Sequence, residues 1–384
     1  MIVNIIGTGK AALASDITNE ENHSDAVKAC LDAKKEAENM SGVKSQQAII
    51  SLAGQSVKFS TNTIEFVRSD KRPIDLAEVK NYIQKAQQKI FEKIRKKEAL
   101  ETGFSEFDIK LVDGRITHIK IDGYDVGDPI GFSGKELSFA ILNNYTTADC
   151  LKILQSIRKA LDIKIFSLVS GPYTTANALL ANVFKTGNIN EASCILIDCA
   201  GKLTDISIFH KGFLEGPKTI NLGGNSFTKR LASNFQLSNG EAEEFKMKYS
   251  RGELSPQVKR KVTECLNMDL RIWLKGIETV LVSDYFGLEG LPALVLMYGG
   301  ACVLPGIRKN LESEEWKKDI NFLGPTRIKI INGSDIERIE DRTNMLHNPG
   351  DITLLSLANF GLLLAKKESV MNSILNRVIR LIQT

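Results

Sequence analysis

The sequence predicts an α/β protein of two α/β layers, with a small α+β unit inserted into the first. Short apolar runs alternate with helical stretches in both halves of the chain, and near Gly54 the texture changes to successive strands around one charged helix. A third observation marks where chemistry is expected. Within 195–222 the apolar run 195–197 ends in Asp198 and opens into Gly201, Thr204 and Asp205. A second run, 206–209, turns at Lys211-Gly212, and a Gly223-Gly224 pair then leads towards a helix.

Taken in chain order, 2–6 reads as a strand and 24–40 as a helix with Ala26, Ala29, Ala33 and Ala37 on one packing face. A second strand is expected at 48–52. The inserted block comprises strands such as 56–66, a charged helix over 75–95 and further strands through Leu142. A helix over 147–161, a strand over 164–169 and a helix ending at Phe184 restore the alternation. Helices follow at 226–235, 239–249 and 255–283. The apolar run 293–297 ends in Tyr298-Gly299-Gly300, and Pro305-Gly306 opens another helical stretch. The expected units are 1–46 and 147–190 for the first layer and 47–146 for the insertion. The second layer spans 191–350, a closing helix 351–365 and an amphipathic tail 366–384.

A glycine-bearing turn between strands lets backbone N–H groups approach a phosphate. Thr204 can add a hydroxyl donor, and a carboxylate such as Asp205 can hold magnesium-bound water. An ordinary β-hairpin with a polar tip is the competing reading of the same residues. Composition narrows the classes: 384 residues leave room for large cores, and a net charge of +4 gives no case for nucleic acid as the main partner. The six cysteines are scattered without a C-x-x-C pair, so a reducing compartment is expected and zinc is not. No run reaches the roughly 18 apolar residues of a membrane span, and no secretory pattern opens the chain. Membrane contact is therefore expected to be peripheral.

In the tail, Val370, Met371, Ile374, Leu375, Val378, Ile379 and Ile382 recur at helical spacing, with Asn372, Asn376, Arg377 and Arg380 towards the other side. One reading is a last helix docked on the protein's own core. The other is an interfacial helix whose basic residues meet anionic headgroups while the stripe enters the acyl boundary.

The three glycine segments, 198–205, Gly223-Gly224, and Gly299-Gly300 with Pro305-Gly306, resemble the phosphate and adenosine motifs of the actin-like ATPase superfamily. Ala242, Glu243 and Lys246 look like its AExxK helix, whose Glu and Lys flank the adenosine. The VNIIGTG start, the SLAG at 51–54, the DPIGFSG at 128–134 followed by Leu137, and the amphipathic tail resemble the FtsA family of bacterial cell-division proteins. The resemblance runs nearly end to end. It implies an actin-like (ribonuclease H-like) two-domain ATPase fold with ATP and Mg2+ between the domains. Gly201, Thr204, Asp205, Gly223, Gly224, Glu243, Lys246, Gly299 and Gly300 would bind the nucleotide, and Asp198 and Asp205 the metal through water. It further implies filaments of the protein itself, peripheral attachment to the inner face of the cytoplasmic membrane at the division site, and recruitment of the FtsZ C-terminal peptide and later division proteins. Membrane contact would use Val370, Met371, Ile374, Leu375, Arg377, Val378, Ile379, Arg380 and Ile382. A pilus-assembly relative that binds a short inner-membrane partner peptide is the alternative.

The sequence departs from the family at three places. Where the family reads approximately DIGGGTTD, this chain reads DCAGKLTD, so Ala200, Lys202 and Leu203 replace residues that keep the backbone open to phosphate. Lys202 either supplies a positive charge there or is a solvated loop lysine. After the glycine pair Thr228 is present, but Lys229 and Arg230 stand where an acidic residue is expected. Finally, Ile6, Gly7, Thr8 and Lys10 superficially match the first phosphate motif, yet Ile5 replaces its Asp, and 1–9 fits the family's third strand better. Its first two strands would then lie upstream, as with a start placed too late or a truncated gene. Without them strand edges would be unpaired and core surface uncovered. ATP binding is expected to be weakened and hydrolysis at most weak.

Overall fold

The computed structural model describes residues 2–12, 23–52, 57–69, 71–103, 105, 108–283, 290–365 and 370–383. Ala53 and Gly54 of the SLAG segment lie outside them, and Arg380 and Ile382 are described in backbone only.

The chain opens with β1 (Val3–Ile5), α1 (His23–Ser41) and β2 (Gln47–Ile50). Gly7 and Gly9 follow β1 because α1 lies against it: a Cβ there would fall 2.3 Å from the Ala37 carbonyl oxygen and 1.9 Å from that of Ala33. These two glycines, just past the end of β1, admit the close approach of α1.

The inserted unit is β3 (Val57–Val67), α2 (Leu76–Thr102), β4 (Ile109–Ile121), β5 (Tyr124–Asp125) and β6 (Glu136–Thr147). Asp75 caps α2 by accepting from the Glu78 amide, and Gly103 ends it at φ 74°, a left-handed conformation that suits glycine. The helix thus runs past Arg95, its expected end. Val79, Ile83, Ala86, Ile90 and Ile94 recur on one buried face, which packs on β4 and β6.

Then come α3 (Ala148–Ala160), β7 (Lys164–Leu168) and α4 (Gly171–Ala178). The expected helical stretch to Phe184 is present but changes type: α4 ends at Ala178, and Leu180–Phe184 continue as a π-type turn whose Leu180, Val183 and Phe184 pack partly buried against the core. β2, placed by the sequence within the insertion, pairs in parallel with β7 across units.

The second layer comprises β8 (Ser193–Cys199), β9 (Thr204–His210), β10 (Phe213–Ile220), α5 (Gly224–Phe235), α6 (Asn239–Arg251), α7 (Pro256–Val282), β11 (Leu294–Tyr298), α8 (Pro305–Glu312) and β12 (Arg327–Ile330). β8, β9 and β10 are antiparallel, whereas β11 and β12 run parallel to β8. One face packs on α5 to α8 around fully buried Trp273. The other carries Phe209, Leu196 and Tyr298 against α4 and against α9 (Ile352–Ala365). β10 also pairs with β3 through Glu215↔Ser60 and Gly216↔Phe59, so the insertion extends this sheet to nine strands, in the order β12-β11-β8-β9-β10-β3-β6-β4-β5.

The rest of the first layer is two small sheets. β1 pairs with β13 (Ile339–Asp341), and β2 with β7. Between β1 and β2, over α9, lies an open apolar groove of about 470 Å³ lined by Ile5, Ile49, Phe166, Leu354 and Leu357 among others.

The tail forms α10 (Val370–Gln383), docked on the protein itself. Met371, Ile374, Leu375, Val378 and Ile379 are buried in the core of the inserted unit, while Val370 and Arg377 are exposed. Five side chains assigned to membrane contact are thus covered by α2 and β4 here, because an amphipathic stripe buries against whatever apolar surface it reaches. Among the described residues no helix is long and apolar enough to cross a membrane.

Candidate functional site

The ends of β8 and β9 join through a four-residue turn, closed by the Ala200 amide donating to the Leu203 carbonyl at 3.0 Å, with Gly201 and Lys202 exposed at its tip. The start of α5 folds back onto this turn. The Gly224 amide donates to the Ala200 carbonyl (2.9 Å) and the Asn225 amide to that of Gly201 (2.7 Å). First-turn amides of a helix are the usual donors to an anion; these two are taken up by the protein. A Cβ on Gly223 would lie 2.6 Å from the Ala200 oxygen and 2.8 Å from the Leu203 nitrogen, so glycine is needed there for the chain's own turn.

Thr204 is fully buried. Its hydroxyl donates to the Leu222 carbonyl at 2.7 Å and accepts from the Trp273 indole N–H at 3.0 Å. This corrects the expectation of a phosphate-facing hydroxyl. The period-two alternation of β9 puts Thr204 on the face of Ile206 and Ile208, towards α7.

The same alternation puts Asp205 on the opposite face, paired across β8–β9 with Asp198. Its Oδ1 accepts from the Thr219 hydroxyl at 2.5 Å. Burial first, and then the charge of Asp205, pushes the Asp198 carboxyl up to about 7 from 3.8. Asp198 keeps a solvent-open flank, which screens part of that cost. Because the folded chain binds this proton more tightly than the unfolded chain, the contribution is present below about pH 3.8 and is lost as pH rises towards 7. Asp198→Asn is therefore expected to raise stability by about 1–2 kcal/mol at pH 8 and to leave it unchanged near pH 4. Urea unfolding in EDTA at both pH values measures this, and an equal gain at both would remove titration as the cause.

Lys246 on α6 is buried, its ammonium donating to the Gly224 carbonyl (3.1 Å), the Thr228 hydroxyl (2.8 Å) and Glu243 Oε2 (2.7 Å). The Thr228 hydroxyl in turn donates to Glu243 Oε2 at 2.5 Å. The expected Glu–Lys pair does reach the glycine pair, but this network ties α6 to α5.

Gly299, at φ 99°, passes over the end of β8, where a Cβ would meet Asp198 Oδ1 and the Cys199 oxygen at 2.5 Å. Its amide donates to the Pro349 carbonyl at 2.9 Å. Gly350 packs over Gly300, and Asp351 accepts from Lys10 at 2.8 Å. The sequence reading missed this 348–351 cover, although its Pro-Gly turn was a visible signal. It also missed Trp273 and Thr219, whose partners are 69 and 14 positions away.

The nine nucleotide candidates thus gather at one end of the β8–β9–β11 sheet. Tested against ATP with Mg2+, they fit poorly. The carboxylate pair suits a hydrated cation, but the Thr204 hydroxyl, the Gly224 and Gly299 amides and the Lys246 ammonium already serve protein acceptors. The Gly201-Lys202 tip and Gly300 are exposed, and Asp198, Asp205 and Glu243 are half-buried. Among the described residues no group of three or more acidic, His or Cys side chains forms a metal site.

The architecture is an actin-like α/β fold. In particular, the chain superposes on a chain of the PilM-PilN type IV pilus biogenesis complex with a TM-score of 0.61 at 14% identity, covering 91% of this chain and 88% of that one. A second likeness, to the ethanolamine utilization protein EutJ from Carboxydothermus hydrogenoformans, has a TM-score of 0.37 at 21% identity over 55% of this chain and 61% of that one. In sequence, the chain is 25% identical over 254 residues to the cell division protein FtsA of Neisseria meningitidis, covering 64% of this chain and 55% of that protein. It is 22% identical over 237 residues to FtsA of Pseudomonas aeruginosa, covering 61% and 51%. The match to FtsA of Helicobacter pylori is 27% over 135 residues, covering 35% and 26%. The chain spans about half the length of the first two relatives. No family model matches it.

Proposed function

We propose that this chain is an FtsA-like scaffold of cell division. It assembles with itself at the inner face of the cytoplasmic membrane, holds the FtsZ C-terminal peptide and recruits later division proteins, with its nucleotide cleft reduced to weak ATP binding or none. The observation that carries the division role is the sequence likeness to FtsA proteins of three different bacteria. The weakened cleft rests on the donors already committed around Thr204, Gly224, Gly299 and Lys246. A pilus-assembly scaffold holding an inner-membrane partner peptide is the second reading, favoured by the superposition that covers nearly the whole of both chains.

Capture by immobilised peptides separates the two. The chain is expected to bind the FtsZ tail peptide and not a peptide from a PilN-like partner; selective capture by the latter would replace the first reading with the second. Isothermal titration with Mg-ATP is expected to show a Kd no tighter than about 1 mM, equivalent to about 4 kcal/mol. Micromolar binding would refute the weakened cleft.

A further inference from the structure

The side chains that make α10 amphipathic are the ones it buries against its own protein. Met371, Ile374, Leu375, Val378 and Ile379 share one core with Val79, Ile83 and Ile90 of α2 and with Leu111 and Ile119 of β4. An interfacial helix would sink this same stripe into the acyl boundary of a bilayer. The stripe cannot occupy both places at once.

The docked position is specific. Asn372 Oδ1 accepts from the Ile116 amide of β4 at 3.0 Å. Gly114 gives the helix room, since a Cβ there would lie 2.7 Å from Ile379 Cδ1, 3.5 Å from Leu375 Cδ2 and 3.2 Å from Asn143 Oδ1. The docked position also carries a cost. Asn143 and Gln87 are fully buried, and the Gln87 side-chain amide donates to Asn143 Oδ1 at 2.8 Å. Gln87 Oε1 and Asn143 Nδ2 are left without a hydrogen-bond partner, a penalty that water would relieve if the helix lifted away. Arg377 meanwhile faces solvent and stays available to an anionic surface while the stripe is still covered.

We propose that α10 has two seats, the groove between α2 and β4 and an anionic lipid surface, which compete for the same five side chains. The inserted unit thereby holds the tail off the membrane, and vesicle binding by the full chain is weakened by the fraction of molecules in which α10 is docked. This rests on the membrane-tether part of the proposed function.

The test uses the full chain with vesicles of phosphatidylglycerol and phosphatidylcholine, and with phosphatidylcholine alone as control. Gly114→Ile crowds Ile379 and is expected to tighten binding to the anionic vesicles about tenfold or more. Asn372→Ala, which removes the acceptor of the Ile116 amide, is expected to tighten it about threefold. Deleting 370–384 should abolish binding in every background. Hydrogen exchange gives a second readout: in the wild type the Ile116 amide is protected in solution and should exchange faster on anionic vesicles, while amides of β8 and β9 stay protected. Wild-type binding that neither substitution strengthens, with Ile116 exchange unchanged, overturns the two-seat proposal and leaves the tether standing. No vesicle binding by any variant sinks the tether and the proposal together.

Discussion

Gly299→Ala is expected to lower the stability of the chain by about 3–5 kcal/mol, whereas Gly300→Ala, one residue on, should change it by less than about 1 kcal/mol. The backbone at Gly299 sits at φ 99° and ψ 156°, a region essentially closed to residues with a side chain. An added methyl would also press into Asp198 Oδ1 and the Cys199 carbonyl at 2.5 Å, and neither the strand end nor the amide bond to Pro349 leaves room for retreat. A Cβ on Gly300 meets no heavy atom within 4 Å. The pair therefore separates two roles that a Gly-Gly motif merges, close approach of the protein to itself and access for a ligand. Urea unfolding of both variants decides the matter. Equal tolerance at the two positions would show that β8 does not crowd Gly299.

The same distinction explains how much of this molecule its sequence disclosed. The stripe of α2 at 79, 83, 86, 90 and 94, with Asp75 before it and Gly103 after it, is a local pattern, and helix and caps follow from it. The turn 200–203 fixes the β8–β9 register, so the facing of Asp198 and Asp205 was legible once both strands were recognised. Glycine was harder to interpret. It announces that something comes close to the backbone without saying what. At Gly7 and Gly9 the neighbour is α1, at Gly223 the 200–203 turn, and at Gly299 the end of β8. Pairings between distant segments left no local trace at all. β2 with β7, β1 with β13 and β10 with β3 depend on edges meeting in space, and so does the choice of α10 between its own protein and a lipid surface.

Trp273→Ala is expected to cost about 3–5 kcal/mol, because it empties the centre of the core beneath β8 and β9. Trp273→Phe keeps most of the packing and removes the indole N–H, and should cost about 1–2 kcal/mol. The informative experiment pairs it with Thr204→Val. If the Thr204 hydroxyl is the strut between Trp273 and the Leu222 carbonyl, the double variant should be less destabilised than the sum of the singles by about 0.5–1.5 kcal/mol. The removal of either partner already breaks the bond, so the second removal cannot break it again. Thr204→Val would then leave Mg-ATP titration unchanged. The outcome that would return Thr204 to the phosphate site is the reverse: additive losses in stability together with a measurable fall in nucleotide affinity. A hydroxyl held on both sides by protein, on the helix-facing side of β9, predicts coupling in the fold and silence towards the nucleotide.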